Sequence, residues 1–245
     1  MMPTLSPTAD YTVEDQLRMR AATRYFNWLL ALSKPWLGNR VLEIGCGMGN
    51  FTRTILDREL IVGLDVEAHC IAQHKRNHSG CDHVVSLEMD ASDPASVGAL
   101  HGYQFDSVVS LNVFEHIQDD YQAMRNLWQL LPEGGRVVLV IPAFSALYGP
   151  IDHLLGHYRR YTKKSVRELA KATGFEPIQL YYVNFVGFFG WWANSRIFKR
   201  TEQSESQIAI FDRFVVPWLR PLEAVIHPPL GQSVFTVLEK RTSGK

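Results

Sequence analysis

The chain carries no excess of charge: 25 lysines and arginines balance 25 aspartates and glutamates over 245 residues. A polyanion such as a nucleic acid therefore meets no global field, and would need a local basic patch. Cysteine is scarce, with three in all. That is too few for a disulfide framework and fits a reducing cytoplasm. The opening residues, MMPTLSPTAD, lack a basic segment followed by an apolar one, so no secretory leader is read there. The longest apolar block, Phe185 to Ala193, is about half of what a membrane-spanning helix needs. Aliphatic and aromatic residues nevertheless make up 46% of the chain, enough for the core of one sizeable α/β domain.

Hydrophobic period divides the chain. From Glu14 to Leu32, apolar residues recur at helical spacing until Pro35, which predicts an N-terminal helix within 13–34. Short β-branched runs then follow: RVLEIG, LIVGLDV, HVVSLEM, FDSVVSL and GRVVLVI, each separated by enough chain for a helix. Continuous apolar strands alternating with helices imply a parallel sheet covered on both faces. The expected covering helices are Phe51–Arg58, Ala68–Asn77, Ser96–Leu100, His116–Leu131 and Lys163–Thr173. FEPIQLYYV and QSVFTVLEK read as two further strands. The core thus spans 38–183, an insertion 184–230 and a last strand 231–240, all within one domain.

The first strand ends in VLEIGCGMGNF, where three alternate glycines stand between a buried strand and a helix. Such a turn lets a ligand approach the backbone. A nicotinamide fingerprint would space its third glycine one residue later. Glu43 is an acid inside a strand expected to be buried, which calls for a polar reason. Asp65 ends the second strand and Asp90 follows the third.

These motifs resemble those of the class I S-adenosylmethionine-dependent methyltransferases. The likeness runs from Val41 through Val183 and again over GQSVFTVLEK. It implies a Rossmann-like, doubly wound sheet of seven mostly parallel strands, the last antiparallel, with a helical insertion before it. It also implies the cofactor S-adenosylmethionine, held by Glu43, Gly45, Cys46, Gly47 and Gly49 of the first motif. Asp65 with Val66 would take the ribose, Asp90 with Ala91 the adenine amine, and Asn112 would flank the methionine part. The chemistry agrees, since hydroxyls, an amine and a sulfonium call for carboxylates rather than a basic phosphate cradle.

Two clusters of polar residues remain. Cys70, His74, His78 and Cys81 resemble zinc ligands, but they sit on the helix after strand two, away from the ligand edge, and are read as an ordinary helix. DHLLGHYRRY, Asp152 to Tyr161, leaves the carboxyl edge of strand five and so faces the cofactor crevice. His157, Arg159, Arg160 and Tyr161 are read as a substrate-side wall and lid. His116 and His157, with Tyr161, are the candidate catalytic groups, the histidines as bases for a hydroxyl. His153 and His157 with Asp152 would suit a metal only on a continuous helix, which Gly156 disfavours, so no metal is assigned.

The expected activity is methyl transfer to a small-molecule or lipid- or glycan-like acceptor, at oxygen. The rivals are a nicotinamide-dependent oxidoreductase and a non-catalytic cofactor-binding scaffold. No nucleic-acid partner is expected, because NVFE stands where nucleic-acid methyltransferases carry Asn/Asp-Pro-Pro-Tyr/Phe. The aromatic insertion, 185–229, is expected to roof the acceptor site. It could also touch a membrane, through Trp191, Trp192, Arg196, Lys199 and Arg200, or a second copy of the chain.

Overall fold

The computed structural model describes residues 22–198 and 205–241. Helix α1 (Thr23–Ser33) is followed by β1 (Arg40–Ile44), β2 (Leu60–Asp65), α2 (Ala68–Asn77), β3 (Val84–Glu88) and α3 (Ala95–Leu100). Next come β4 (Ser107–Leu111), α4 (Asp120–Leu130), β5 (Arg136–Pro142), α5 (Pro150–Leu154), α6 (Lys163–Thr173) and β6 (Phe175–Val183). The insertion supplies α7 (Phe185–Trp192), α8 (Glu205–Ile210) and α9 (Val216–Val225), and β7 (Ser233–Lys240) closes the fold. The expected helix start, Glu14 to Ala21, lies outside the described residues.

The seven strands form one sheet in the order β3-β2-β1-β4-β5-β7-β6. All neighbouring pairs are parallel except those of β7, which runs antiparallel to both β5 and β6. The strand order reverses between β1 and β4. In an open α/β sheet the crevice outside the carboxyl ends of strands at such a switch point is where ligands bind.

Side-chain alternation along the strands builds two cores. Val108 and Leu139 point into one, with Phe105, Phe114, Met124 and Leu127. Their neighbours Val109, Val138 and Val140 point into the other, with Trp28, Leu29, Val216, Leu219 and Phe235. Burial on both faces is why these strands read as unbroken apolar runs.

Helix α6 begins and ends where the sequence places it, for local reasons. In α6 the Thr162 hydroxyl accepts from the Ser165 amide at 3.1 Å, and Gly174 closes the helix in a left-handed conformation, φ 87°. Two other expected spans shrink. Between Phe51 and Arg58 only a 3-10 turn, Thr52–Thr54, forms. There the Thr52 and Thr54 hydroxyls bond to Glu43 and to the Phe51 carbonyl, offering the backbone an alternative to helix. Helix α4 begins at Asp120 rather than His116, because Phe114–His116 is a separate 3-10 turn, Ile117 is extended and Asp119 caps the helix.

The insertion is anchored by two carboxylates. Asp212 accepts from the Arg24 and Tyr25 amides at the start of α1, at 3.2 and 2.8 Å. Glu223 accepts from the Asn184 and Phe185 amides that open α7, both at 2.8 Å. A π-helical stretch, Phe211–Val215, precedes Pro217. The wider turn fits a residue that has no N–H and whose ring crowds the preceding carbonyls. No helix among the described residues is long and apolar enough to cross a membrane.

Candidate active site

The crevice begins at the turn after β1. Gly45, Gly47 and Gly49 all adopt left-handed φ, at 71°, 52° and 88°. A Cβ at Gly45 would overlap the Val113 methyls, and one at Gly49 would overlap the His78 ring. The turn therefore tolerates only glycine at those two places, for packing as well as for φ. Cys46 and Met48 are buried beneath it.

Asp65, at the end of β2, reaches back to this turn. Its Oδ2 accepts from the Gly47 amide at 2.9 Å and its Oδ1 from the Glu67 amide at 3.0 Å. Desolvation raises its pKa, and the two amide hydrogen bonds oppose that rise. Next to it Val66, an apolar residue at the sheet edge, is 62% exposed. Asp90 is exposed after β3, its Oδ1 accepting from the Ser92 amide and hydroxyl at 2.8 and 2.7 Å. Ala91 is buried behind it. Asn112 stands at the end of β4 in a left-handed conformation, φ 55°. Carboxylates, an exposed apolar side chain and a bare glycine backbone thus line successive strand ends, which suits a ligand with hydroxyls, a flat base and a positive centre.

Glu43 plays a different part from the one its motif implies. It is 5% exposed and accepts from the Thr52 hydroxyl at 2.6 Å. The same hydroxyl lies 2.9 Å from His74 Nε2, and His74 Nδ1 lies 2.7 Å from the Ser86 hydroxyl. Burial pushes Glu43 up to about 8, and desolvation together with the charge of His78 pushes His74 down to about 4. This neutral polar chain braces the glycine turn from beneath. It also accounts for the helix stripe that resembles zinc ligands: His74 belongs to the chain, and the His78 ring packs on the His74 ring at 4.5 Å.

The far side of the crevice, beyond β4 and β5, is built around Asp152, which is fully buried. Its Oδ1 lies 2.8 Å from His157 Nδ1 and 2.7 Å from Arg160 Nε, and its Oδ2 accepts from the Gly149 amide at 2.9 Å. Burial would raise its pKa, but the His157 hydrogen bond and the Arg160 charge win and hold it below the ordinary carboxylate range. Gly156 ends the short helix at φ 75°, so His153 stays exposed while His157 turns inward. There its ring meets His116 edge to face, centroids 4.5 Å apart. The Tyr158 amide donates to the Glu115 carbonyl at 2.8 Å, fastening this segment to the turn after β4.

Three residues read as wall and lid are tied into the fold, and with Gln118, Asp119, Asp120 and Tyr121 they line one pocket. The Arg160 guanidinium is 6% exposed as a residue, donates to the Ala143 carbonyl at 3.2 Å and stacks 4.9 Å from the Trp191 ring. Tyr161 is 3% exposed, and its hydroxyl donates to Asp120 Oδ2 at 2.8 Å, with the Phe114 carbonyl 3.1 Å away. Arg159 pairs with Asp120 at 2.8 Å and donates to the Gln118 carbonyl at 2.6 Å. Tyr161 thereby tethers the turn that carries His116. A parallel bridge pairs Ala143, just past β5, with Tyr161 and draws Arg160 and Tyr161 beneath the surface, while Arg159 stays partly exposed.

Sequence reasoning missed Glu115 and Asp152 as site residues. Glu115 is 1% exposed, and burial pushes its carboxyl up to about 7. His116 keeps solvent access as a residue, yet desolvation of its ring, ahead of the like charge of His157, drives its pKa down, so the imidazole is neutral at pH 7. Glu115 stands just past the end of β4 with its neighbours His157 and Tyr158 about forty residues on, whereas Asp152, in α5, has its partners Gly149, His157 and Arg160 within eight residues, so its signal was the local Asp-His-Arg run itself.

The insertion divides. Its first half meets the crevice side: Phe188 packs edge to face on Phe144 at 5.6 Å, and Arg196 donates to the Ala146 carbonyl at 2.9 and 2.8 Å. Its second half packs with α1 against one sheet face through Val216 and Leu219. Of the expected roof, only α7 and the π-helical stretch after it, Ala193–Ile197, thus contact the segment after β5 among the described residues. Lys199 and Arg200 lie outside the described residues.

Fold and site together define a class, and residues 17–180 match a family described as a methyltransferase domain. The chain belongs to that family, whose cofactor is S-adenosylmethionine. It is 26% identical over 138 residues to the aklanonic acid methyltransferase DauC of Streptomyces sp. (strain C5), covering 54% of this chain and 61% of that protein. It is 30% identical over 103 residues to a ubiquinone biosynthesis O-methyltransferase of Pseudomonas fluorescens (strain SBW25), covering 41% of this chain and 43% of that protein. A SAM-dependent methyltransferase from Archaeoglobus fulgidus shares the fold, with a TM-score of 0.61, 16% identity, and coverage of 95% of this chain and 100% of that one. The aligned part of this chain spans about half the length of the curated relatives it matches.

Proposed function

We propose that the protein transfers a methyl group from S-adenosylmethionine to a hydroxyl oxygen of a small-molecule or lipid- or glycan-like acceptor. The observation that carries this reading is Asp65, tied to the Gly47 amide beside exposed Val66 at the strand-order switch. When bound there, the cofactor supplies a methyl carbon already activated on a sulfonium. The chain's own contribution is placement: the glycine turn and Asp65 fix one end of the crevice, and the Glu115–His116–His157 group marks the other. Holding reactants in line accounts for about 7–11 kcal/mol of a barrier in well-oriented systems. An acceptor hydroxyl resting against the two imidazoles has a group to receive its proton. Phe144, Phe188 and Trp191 supply apolar surface on that side, favouring an acceptor with a hydrophobic part and excluding water.

Calorimetric titration with S-adenosylmethionine, its demethylated product and a nicotinamide dinucleotide is the test of the cofactor, followed by transfer of labelled methyl to phenolic and lipid-linked acceptors. Tight binding of the first two and turnover with a hydroxyl acceptor are expected. Binding without turnover on any acceptor class favours the scaffold reading, and preference for the dinucleotide overturns the proposal.

A further inference from the structure

We propose that Glu115, His116 and His157 form a binding site for one divalent transition-metal ion. Their ligand atoms all lie within 4.8 Å of one another, and they are the one such group among the described residues. Two imidazoles and one carboxylate on one side of an ion leave positions open, an arrangement that suits iron(II), manganese, cobalt or zinc better than the all-oxygen preference of magnesium or calcium. Bonds of about 2.0–2.2 Å to a shared ion require the ligand atoms to draw somewhat closer, which side-chain rotation supplies.

Two further features point to an ion rather than to a chance gathering. Glu115 is 1% exposed, yet its Oε2 has no hydrogen-bond partner among the described residues. A buried oxygen left so is unfavourable, and a cation at the centre of the group would satisfy it. The outer contact of His157 is also that of a metal ligand. His157 directs Nδ1 to the buried carboxylate of Asp152, itself fixed by Arg160 and the Gly149 amide. The His157 ring thus has one nitrogen engaged with a carboxylate and the other left for the centre, the pattern that orients metal-bound histidines. The turn Phe114–His116 supplies two of the ligands, and the Tyr158 amide, bonded to the Glu115 carbonyl, holds the segment bearing the third beside it.

The use of such an ion in catalysis rests on the methyl-transfer reading: with both imidazoles on the ion, an acceptor oxygen in an open position would give up its proton to water more readily, in place of transfer to a free imidazole. The binding of the ion does not depend on that reading.

The test is cobalt(II) titration of the full chain after removal of metals with a chelator, followed by visible absorption, with stoichiometry from native mass spectrometry. The expected result is one cobalt per chain, an absorption band that zinc abolishes, and a rise in thermal stability with the ion. Glu115→Gln and His116→Gln should abolish the band, and Asp152→Asn should weaken binding by about 10–100-fold. His153→Gln, one helix away and exposed, should bind as the wild type does. His116 is accessible enough that its variant is expected to fold, which circular dichroism verifies. Absence of the band, or equal bands in the wild type and the two ligand variants, overturns the site and leaves a buried water as the partner of Glu115. Either result is separate from the calorimetric titration of S-adenosylmethionine, so failure of the ion site and failure of the methyl-transfer reading are distinguishable.

Discussion

His157 Nδ1 and Asp152 Oδ1 lie 2.8 Å apart in the buried floor of the acceptor side, and Arg160 Nε shares the same oxygen at 2.7 Å. The carboxylate thereby sets the direction of the imidazole and neutralises the guanidinium. Removing it would leave Arg160 as an uncompensated buried charge, so Asp152→Ala is expected to destabilise the protein by about 3–5 kcal/mol. Asp152→Asn keeps the shape and should lose less. Urea unfolding of the two variants checks the order, and equal losses would argue that packing, not charge, fixes this site.

Asp65 holds the glycine turn, and in the proposed site it offers the ribose its acceptor. For Asp65→Ala, weaker cofactor binding by about 1.5–3 kcal/mol is expected, the value of hydrogen bonds to a charged group. Asp65→Asn can still accept from the Gly47 amide and separates turn support from ribose recognition. Calorimetry reads both, and unchanged affinity in the alanine variant removes Asp65 from the cofactor site.

Glu43 gives a pH signature. Its carboxyl, near 4.5 when unfolded, is pushed up to about 8 in the fold by burial. The folded state therefore keeps a proton that the unfolded state has lost, and the associated stability is present below pH 4.5 and lost as pH rises through 8. His74 works in the opposite sense, since its folded value, about 4, lies below 6.5 and its stability is lost as pH falls through that window. Above pH 6.5 only Glu43 of this pair contributes. Glu43→Gln should remove a decline of up to about 1.4 kcal/mol per pH unit between pH 6.5 and 8. Parallel unfolding titrations of variant and wild type are the measurement, and superimposable pH profiles would contradict it.

Tyr161→Phe deletes only the hydroxyl bonded to Asp120 and facing the Phe114 carbonyl. A stability loss of about 1 kcal/mol is expected, with slower turnover and unchanged cofactor affinity, because the turn bearing Glu115 and His116 loses a tether. Full activity in this variant would make the tether dispensable.

The insertion leaves a large apolar face, with Trp218 80%, Val225 84%, Phe214 61% and Ile210 58% exposed. Patches of that kind mark contact with lipid or with another protein surface. Trp218→Ser with Val225→Ser should leave the fold intact and reduce either co-sedimentation with anionic liposomes or self-association. Sedimentation velocity with and without vesicles distinguishes the two, and a wild type that is monomeric and vesicle-free would leave the face without a partner.

Local pattern sufficed for much of this architecture. Strand period, helix caps at Thr162 and Gly174, and the glycine turn depend on neighbours within a few residues, so the sheet, helices α2 and α6 and the cofactor edge were legible from the sequence. Thr52–Thr54 and Phe114–His116 were not, because each exchanges helical bonds for contacts elsewhere: Thr52 with Glu43 and His74, and the turn with Tyr158 and Tyr161. The same holds for the acceptor side. His116 and His157 stood out as residue types, but their meeting, with Glu115 beneath them and Asp152 behind, joins segments about forty residues apart that only the pairing of β4 with β5 brings together. The sequence by itself determined which backbone segments could be strands, turns and helices, since those choices are local in energy. Which polar groups are buried together, and so which are braces and which face the crevice, was decided by tertiary structure, because desolvation and hydrogen bonding depend on neighbours in space rather than along the chain.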